Sequence, residues 1–197
     1  MRGSNYDRSG FRSNILKPLS KIKIRSYDFV GFDVETSGVN NDFYMGGLFY
    51  YDKNGEEIYK SYYNKKEMIQ ELLYNSFYKG KYIIATNLSF DLSVLLFGCD
   101  EWNNLKIINR AGDIIYAEKS FPDSNKKGKI KFLDTMNFIK LSVQKLGGIL
   151  KIPKMESPGF IGNIPVNQEE EDYLREYNKR DCEISCKFMY FFTAEIQ

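Results

Sequence analysis

Hydrophobic and polar positions along this chain of 197 residues form short apolar runs and longer amphipathic stretches, a pattern that predicts both strands and helices. Residues 27–34 are apolar, aromatic and β-branched, which predicts a buried central strand. Two more β-rich runs, 43–51 and 57–63, are joined through Asn54 and Gly55, and Asn-Gly between such runs predicts a hairpin. The sheet is therefore expected to begin as a meander.

Apolar residues at helical spacing follow the hairpin. Residues 65–78 predict a helix that stops before Gly80, and 82–86 predict a second buried strand. The run 92–97 predicts a hydrophobic helix that ends at Gly98. Because this helix comes so soon after the strand, the sequence predicts a strand-to-helix junction between them.

The second half of the chain is expected to complete an α/β fold. The predicted strands are 105–108, 114–118 and 129–133, and the predicted helices are 138–150 and 168–194. A polar loop is expected over 122–128, and a long surface loop over 151–167, which is rich in proline and glycine. Asn167 and Glu170 have the spacing of a capping box for the last helix.

Composition narrows the function classes. A hydrophobic content of 43% suits one globular domain, and no run is long enough to span a bilayer, so no membrane contact is expected. Three cysteines without a Cys-x-x-Cys pair do not fit a secreted disulfide framework, and an intracellular location is expected. With no histidine, the chain lacks imidazole bases, Ser-His and Cys-His pairs and histidine-ligated zinc, so catalysis would rest on carboxylates, tyrosines, lysines or a metal.

Charge is distributed unevenly along the chain. Residues 1–26 carry a net charge of +6, whereas the remainder carries −4. This predicts a flexible basic arm, 1–26, before one domain, 27–197. Such an arm suits contact with a polyanion, and a solvated tail, an organellar transit peptide or a cloning remnant at 1–4 are the alternatives.

Two carboxylates stand in the first predicted strand. Asp33 and Glu35 are spaced i and i+2, so they point to the same face, while Val34 points to the opposite one. Adjacent like charges repel, and a divalent cation bound by their hard oxygens is the usual compensation. The alternative is an acidic pair at a solvated strand end.

Acidic residues recur in two further elements. Asp91 falls at the strand-to-helix junction, in the first turn of its helix, where the macrodipole favours an anion. Tyr177 and Asp181 are spaced i and i+4 on the last predicted helix, so they share a face and can reach the same site.

In this order and context, the segments Phe32 to Thr36, Asn87 to Asp91 and Tyr177 to Asp181 resemble the three motifs of the DEDD superfamily of 3′-to-5′ exonucleases. More closely, the chain resembles the proofreading domain of family B DNA polymerases in the protein-primed viral and organellar branch. The motifs are Asp-x-Glu, Asn-x(2 or 3)-Phe/Tyr-Asp and Tyr-x-x-x-Asp. The resemblance implies a ribonuclease H-like fold, a mixed β-sheet flanked by α-helices, over about 27–195.

The resemblance also implies a catalytic set. Asp33, Glu35, Asp91 and Asp181 would bind two divalent metal ions, Mg²⁺ or Mn²⁺, for an in-line phosphoryl displacement. Tyr177 would orient the attacking water by a hydrogen bond, because a chain without histidine fits only the tyrosine subtype. The implied activity is hydrolysis of single-stranded DNA from its 3′ end, which releases nucleoside monophosphates.

Five further residues match motif positions that contact nucleic acid in the family: Thr36, Asn87, Phe90, Thr135 and Lys154. Phe90 could stack on a base, and core packing is its alternative. Thr135 matches a Ser/Thr-Leu motif, with methionine in place of leucine. Lys154 matches a lysine near the scissile phosphate, and a solvated loop lysine is its alternative.

Other assignments stay open at the level of sequence. An exoribonuclease of the same superfamily and a non-catalytic module that holds a nucleic-acid end are the rival functions. The protein is expected to act at a site of DNA replication, whether cytoplasmic, viral or organellar. It is expected to be a free-standing nuclease, an excised domain, or a subunit whose polymerase lies on another chain.

Overall fold

A computed structural model describes residues 28–121 and 128–195, with Glu195 described in its backbone alone. The expected basic arm 1–26, the first residue of the strand predicted over 27–34, and most of the polar loop 122–128 lie outside the described residues. None of the described helices is long and apolar enough to cross a membrane.

Seven strands and five α-helices make up the described part of the chain. The strands are β1 (Phe29–Ser37), β2 (Asp42–Tyr51), β3 (Glu57–Tyr62), β4 (Tyr82–Ala85), β5 (Lys106–Arg110), β6 (Asp113–Ser120) and β7 (Lys129–Asp134). The helices are α1 (Lys65–Tyr74), α2 (Leu88–Leu96), α3 (Asp100–Asn103), α4 (Val143–Leu150) and α5 (Gln168–Glu195). Every predicted strand is therefore present.

The strands form one mixed sheet in the order β3-β2-β1-β4-β7-β6-β5. Its centre, β1-β4-β7, is parallel, and antiparallel pairs extend it on both sides. The predicted hairpin of β2 and β3 is confirmed, with Asp52 accepting hydrogen bonds from the turn amides of Asn54 and Glu56. Because the three central strands are parallel, their carboxyl ends meet at one edge of the sheet, where ligands bind in open α/β folds.

Helices cover both faces of the sheet. Side chains of α1 and α2, among them Met68 and Leu92, pack on one face in the larger apolar core. Side chains of α4 and α5, among them Leu146 and Ile184, form a second core on the other face. Each strand of the centre is thus buried on both sides, which explains the nearly continuous apolar run in β1.

The helix predicted over 65–78 is shorter than expected, because α1 ends at Tyr74. Asn75 leaves the helical conformation, with φ −73° and ψ 121°, and its side chain accepts from the amide of Phe77 to begin a separate 3₁₀ turn. An asparagine that bonds to the backbone competes with the helix at this point.

The helix predicted over 138–150 is also shorter, because α4 begins at Val143. Asp134 accepts from the amide of Met136 and starts a 3₁₀ turn at the end of β7. The amides of Phe138 and Ile139 bond to the carbonyl of Thr135, and no α-helix follows until α4 begins after Ser142. The side-chain cap on the 3₁₀ turn replaces the first helical turns that the apolar spacing predicted.

The long loop expected over 151–167 contains no helix or named strand, as predicted, and a single bridge joins Gly162 to Ser37. The predicted cap of the last helix is also present. Asn167 Oδ1 accepts from the amide of Glu170 at 2.9 Å, and the Glu170 carboxylate accepts from the amide of Val166 at 2.9 Å. The loop therefore enters α5 with a fixed geometry.

Candidate active site

The first two acidic residues extend from β1 toward α5. Val34 packs into the core on the α2 face, whereas Asp33 and Glu35 both contact Asn178 of α5 on the opposite face. This is the alternation expected for a strand. A register shift between Glu35 and Thr36 interrupts the pairing with β2 just beyond the two carboxylates, and the pairing resumes at Thr36.

Asp91 reaches the same place from the other side of β1. It lies in the first turn of α2, as predicted, and its Oδ1 accepts from the backbone amide of Val34 at 3.3 Å. Its Oδ2 is buried and has no hydrogen-bond partner. The turn before it passes through Asn87, which has a left-handed conformation with φ 73° and ψ 51°.

Asp134, at the end of β7, holds this turn in place. Its carboxylate accepts from the amide of Leu88 at 2.9 Å, from that of Asn87 at 3.3 Å and from that of Met136 at 2.8 Å. It therefore serves as the cap that the Asn87 side chain does not provide. An aspartate at the end of a buried strand is itself a signal for such a cap, but this role was not predicted for Asp134.

The helix α5 contributes three side chains to the site. Tyr177 and Asp181 lie one turn apart, as expected, and both are buried. Between them, Asn178 donates from Nδ2 to Asp33 Oδ2 at 2.8 Å and to Glu35 Oε1 at 3.5 Å. Asn178 was not predicted as a site residue, and its place one helical turn before Cys182 and next to Tyr177, on the face of α5 that is buried, was the available signal.

Lys154 enters the site from the long loop, rather than lying solvated on it. Its ammonium forms an ion pair with Asp181 Oδ2 and lies 4.5 Å from the ring centroid of Tyr177. Ser157, three residues further on, has its hydroxyl 3.4 Å from the Tyr177 hydroxyl. Arg180 fixes the loop by donating to the Pro153 carbonyl at 3.0 Å.

The negative charges of the four carboxylates act on one another's pKa values. Burial raises the pKa of Asp33 well above its ordinary range, and the charges of Glu35, Asp91 and Asp181 raise it further. Burial likewise raises the pKa of Asp91 and of Asp181, while Lys154 lowers that of Asp181. The pKa of Glu35 is raised to about 7, because the effect of burial is larger than that of the hydrogen bonds from Asp33 and Asn178, which lower it.

Two features decide whether these residues fit divalent cations. As they stand in the described part of the chain, no three acidic or cysteine side chains are gathered in a metal-binding geometry, and Lys154 engages one oxygen of Asp181. However, Asp91 Oδ2 and Asp181 Oδ1 are buried without hydrogen-bond partners. Unpartnered buried carboxylate oxygens in an acidic cluster are the atoms that a cation would satisfy, so the chemistry of the donor set fits Mg²⁺ or Mn²⁺.

We expect the stability of the metal-free protein to fall as pH rises. Because the folded-state pKa of Glu35, about 7, lies above its ordinary value of 4.5, the folded protein binds more protons than the unfolded chain between these values. The stabilisation present below pH 4.5 is therefore lost by about pH 7, a loss on the order of 3 kcal/mol.

Thermal denaturation in EDTA at pH 5 and pH 8 measures this loss, and Glu35→Gln serves as the matched variant. The variant should lose less stability over the interval, and excess Mg²⁺ should restore the melting temperature of the wild type at pH 8. Folding lowers the pKa of other carboxyl groups, such as Glu71 and Glu118. Their contribution to stability therefore changes below the interval from pH 5 to pH 8. A melting temperature that rises from pH 5 to pH 8 in EDTA would contradict the prediction.

The candidate nucleic-acid contacts fall into two groups. Thr36 is half-buried at the end of β1, while Asn87 and Phe90 are exposed beside Asp91. Phe90 is 38% exposed and belongs to neither apolar core, so the core-packing alternative does not describe it. Thr135, by contrast, is fully buried, and its hydroxyl lies 2.9 Å from that of Thr86.

Thr135 therefore does not lie where the sequence predicted, because its side chain is not at a surface that a DNA strand could reach. Its hydroxyl joins Thr86, which lies 3.1 Å from Ser185 of α5, in a buried polar chain between the sheet and the helix. A hydroxyl removed from water needs such partners. The neighbouring Met136 is 40% exposed and is the part of this motif that faces solvent.

No protein-family model and no curated protein matches the chain. Its fold is similar to phi29 DNA polymerase complexed with single-stranded DNA, with a TM-score of 0.64 and 16% identity over 87% of this chain and 32% of the polymerase. The polymerase complexed with primer-template DNA gives 0.63 and 17% over the same shares. The chain thus spans about a third of the polymerase. Together with the mixed sheet and its flanking helices, this likeness confirms the predicted α/β, ribonuclease H-like fold class.

Proposed function

We propose that this protein is a two-metal-dependent 3′-to-5′ exonuclease that acts on single-stranded DNA. The observation that carries the proposal is the convergence of Asp33, Glu35, Asp91 and Asp181 from three elements at one sheet edge, with two of their buried oxygens unpartnered. Nothing in folding rewards such a cluster, because burial raises the pKa of all four carboxyl groups and neighbouring carboxylates raise that of Asp33, Glu35 and Asp91 further. A site kept at a cost to stability is typical of catalysis.

The chain's own residues have distinct tasks in this reaction. The four carboxylates would hold two divalent ions, which when bound activate a water and stabilise the departing 3′ oxygen. The Tyr177 hydroxyl lies 3.4 Å from that of Ser157 and would orient the attacking water. The ammonium of Lys154 adds a positive charge beside Asp181, where the negative charge of a scissile phosphate would approach.

The surface near Asp91 is suited to binding single-stranded DNA. Phe90 presents an exposed ring on which a terminal base can stack, a contact worth roughly 1–3 kcal/mol in other proteins. Asn87 is exposed one turn earlier and can donate or accept at a base or sugar. The similar structures of phi29 DNA polymerase are complexes with single-stranded and primer-template DNA, which supports DNA as the ligand of this fold.

The same comparison supports a proposal for the biological setting. Because the chain spans about a third of the polymerase that it resembles in fold, proofreading for a DNA polymerase is the role we propose, with the polymerase on the same or another chain. That role places the protein inside a cell, at a site of DNA replication.

Digestion of a 5′-labelled single-stranded DNA oligonucleotide tests the proposal. We expect a ladder that shortens from the 3′ end in Mg²⁺ or Mn²⁺, and no cleavage in EDTA. A matched RNA oligonucleotide distinguishes the exoribonuclease alternative, because faster cleavage of RNA would require a pocket for the 2′-hydroxyl. Tight binding of the oligonucleotide without cleavage in either metal would overturn the proposal in favour of a non-catalytic module.

A further inference from the structure

Asn178 connects the acidic cluster to β3, the outermost strand on one side of the sheet. Its side chain is fully buried, and Nδ2 donates to Asp33 and Glu35. On the other side of the amide, Oδ1 accepts from the Tyr59 hydroxyl at 2.9 Å and from the thiol of Cys182 at 3.7 Å. The nitrogen of this amide therefore contacts both carboxylates of β1, while its oxygen is hydrogen-bonded on the opposite side.

The orientation of this amide is determined by its surroundings. If the amide turned over, its oxygen would face the two carboxylates, and its nitrogen would face the Tyr59 hydroxyl. Burial raises the pKa of Tyr59 far above its ordinary value, so this phenol keeps its proton and can donate to Asn178 Oδ1. The hydroxyl of Tyr59 thus fixes the side of Asn178 on which the amide protons lie.

The sheet leaves space for this contact at Gly47. Gly47 pairs with Asp33 across β1 and β2, on the sheet face that α5 covers. A Cβ built at Gly47 would lie 2.0 Å from Asn178 Oδ1 and 2.8 Å from the Tyr59 ring. Any side chain at this position would occupy the place where the amide and the phenol meet, so β2 is shaped for the contact.

We propose that Asn178, fixed by Tyr59, is a positioning residue that holds Asp33 and Glu35 in the orientation in which they bind divalent cations; this role rests on the proposed exonuclease function. The free rotation of two repelling carboxylates would otherwise have to be lost on metal binding. A carboxylate that is already hydrogen-bonded has lost this freedom before the metal binds. In other metal sites, mutation of the residues that hydrogen-bond to the ligands lowers metal affinity by about 10- to 100-fold.

Direct titration with Mn²⁺, without nucleic acid, tests this role independently of catalysis. Tyr59→Phe removes the hydroxyl alone, and we expect Mn²⁺ affinity to fall by about tenfold. Tyr62→Phe is the matched control, because Tyr62 lies on the same strand but packs against the opposite core. It should leave Mn²⁺ affinity unchanged. Circular dichroism confirms that each variant is folded.

The double variant separates positioning from a general loss of packing. If Tyr59 acts through Asn178, then Tyr59→Phe should change Mn²⁺ affinity little once Asn178→Ala is present, so the two effects are not additive. Additive effects, or wild-type affinity in a folded Tyr59→Phe variant, would overturn the positioning role while leaving the exonuclease in place. A wild-type protein that binds no Mn²⁺ would overturn the proposed function itself, and the positioning role with it.

Discussion

Replacement of Asp33 by asparagine is expected to abolish exonuclease activity while making the metal-free protein more stable. The two effects have one cause. Ionised Asp33 is penalised by burial and by three neighbouring carboxylates, so a neutral side chain of the same size removes repulsion. The same change removes a metal ligand from a site that needs negative charge, and Asn178 can still donate to the new side-chain oxygen.

We expect the rate on single-stranded DNA to fall by at least about 10³-fold, which corresponds to roughly 4 kcal/mol of transition-state stabilisation. At pH 8 in EDTA the melting temperature should rise above that of the wild type. Glu118→Gln is the control, because Glu118 is also buried but lies on β6, paired with Lys129 at 2.6 Å. It should retain activity. An inactive Asp33→Asn protein with a lowered melting temperature would indicate lost structure instead of a lost ligand.

Local rules were sufficient to predict part of this site from sequence. Alternation along a strand places Asp33 and Glu35 together, and helical spacing places Tyr177 and Asp181 together. Both relations hold in the structure because they depend on the backbone of one element only. The meeting of these elements with Asp91 was implied by the family resemblance, since spacing within one element carries no information about its neighbours.

The residues that sequence reasoning missed act across long distances in the chain. Tyr59 and Asn178 are 119 residues apart, and neither stands in a periodic pattern that points to the other. Lys154 was predicted through the family resemblance alone, because no period predicts the direction of a side chain in an irregular loop. The helix ends were misplaced for a different reason: at Asn75 and Asp134 a single side chain bonds to the backbone and overrides the apolar spacing.

The close packing of α5 against β1 leaves no room for a side chain at Gly31. Gly31 lies in β1, between β2 and β4, and pairs with Phe49 and Ile84. A Cβ built there would lie 1.9 Å from the carbonyl oxygen of Cys182 and 2.7 Å from its carbonyl carbon. The obstructing atoms belong to the backbone, so no change of side chain at Cys182 can make room.

We therefore expect Gly31→Ala to destabilise the fold by about 1–3 kcal/mol or more, because a central strand cannot move and the helix must. Displacement of α5 also moves Asp181, which immediately precedes Cys182, so Mn²⁺ affinity and exonuclease activity should fall in any folded fraction. Gly148→Ala is the matched control. Gly148 lies in α4 with no other atom within 4 Å of a Cβ built there, so alanine should stabilise the protein by roughly 0.5–1 kcal/mol. Equal unfolding free energies for the two variants in urea would contradict the close approach of α5 to β1, on which the geometry of the whole acidic cluster depends.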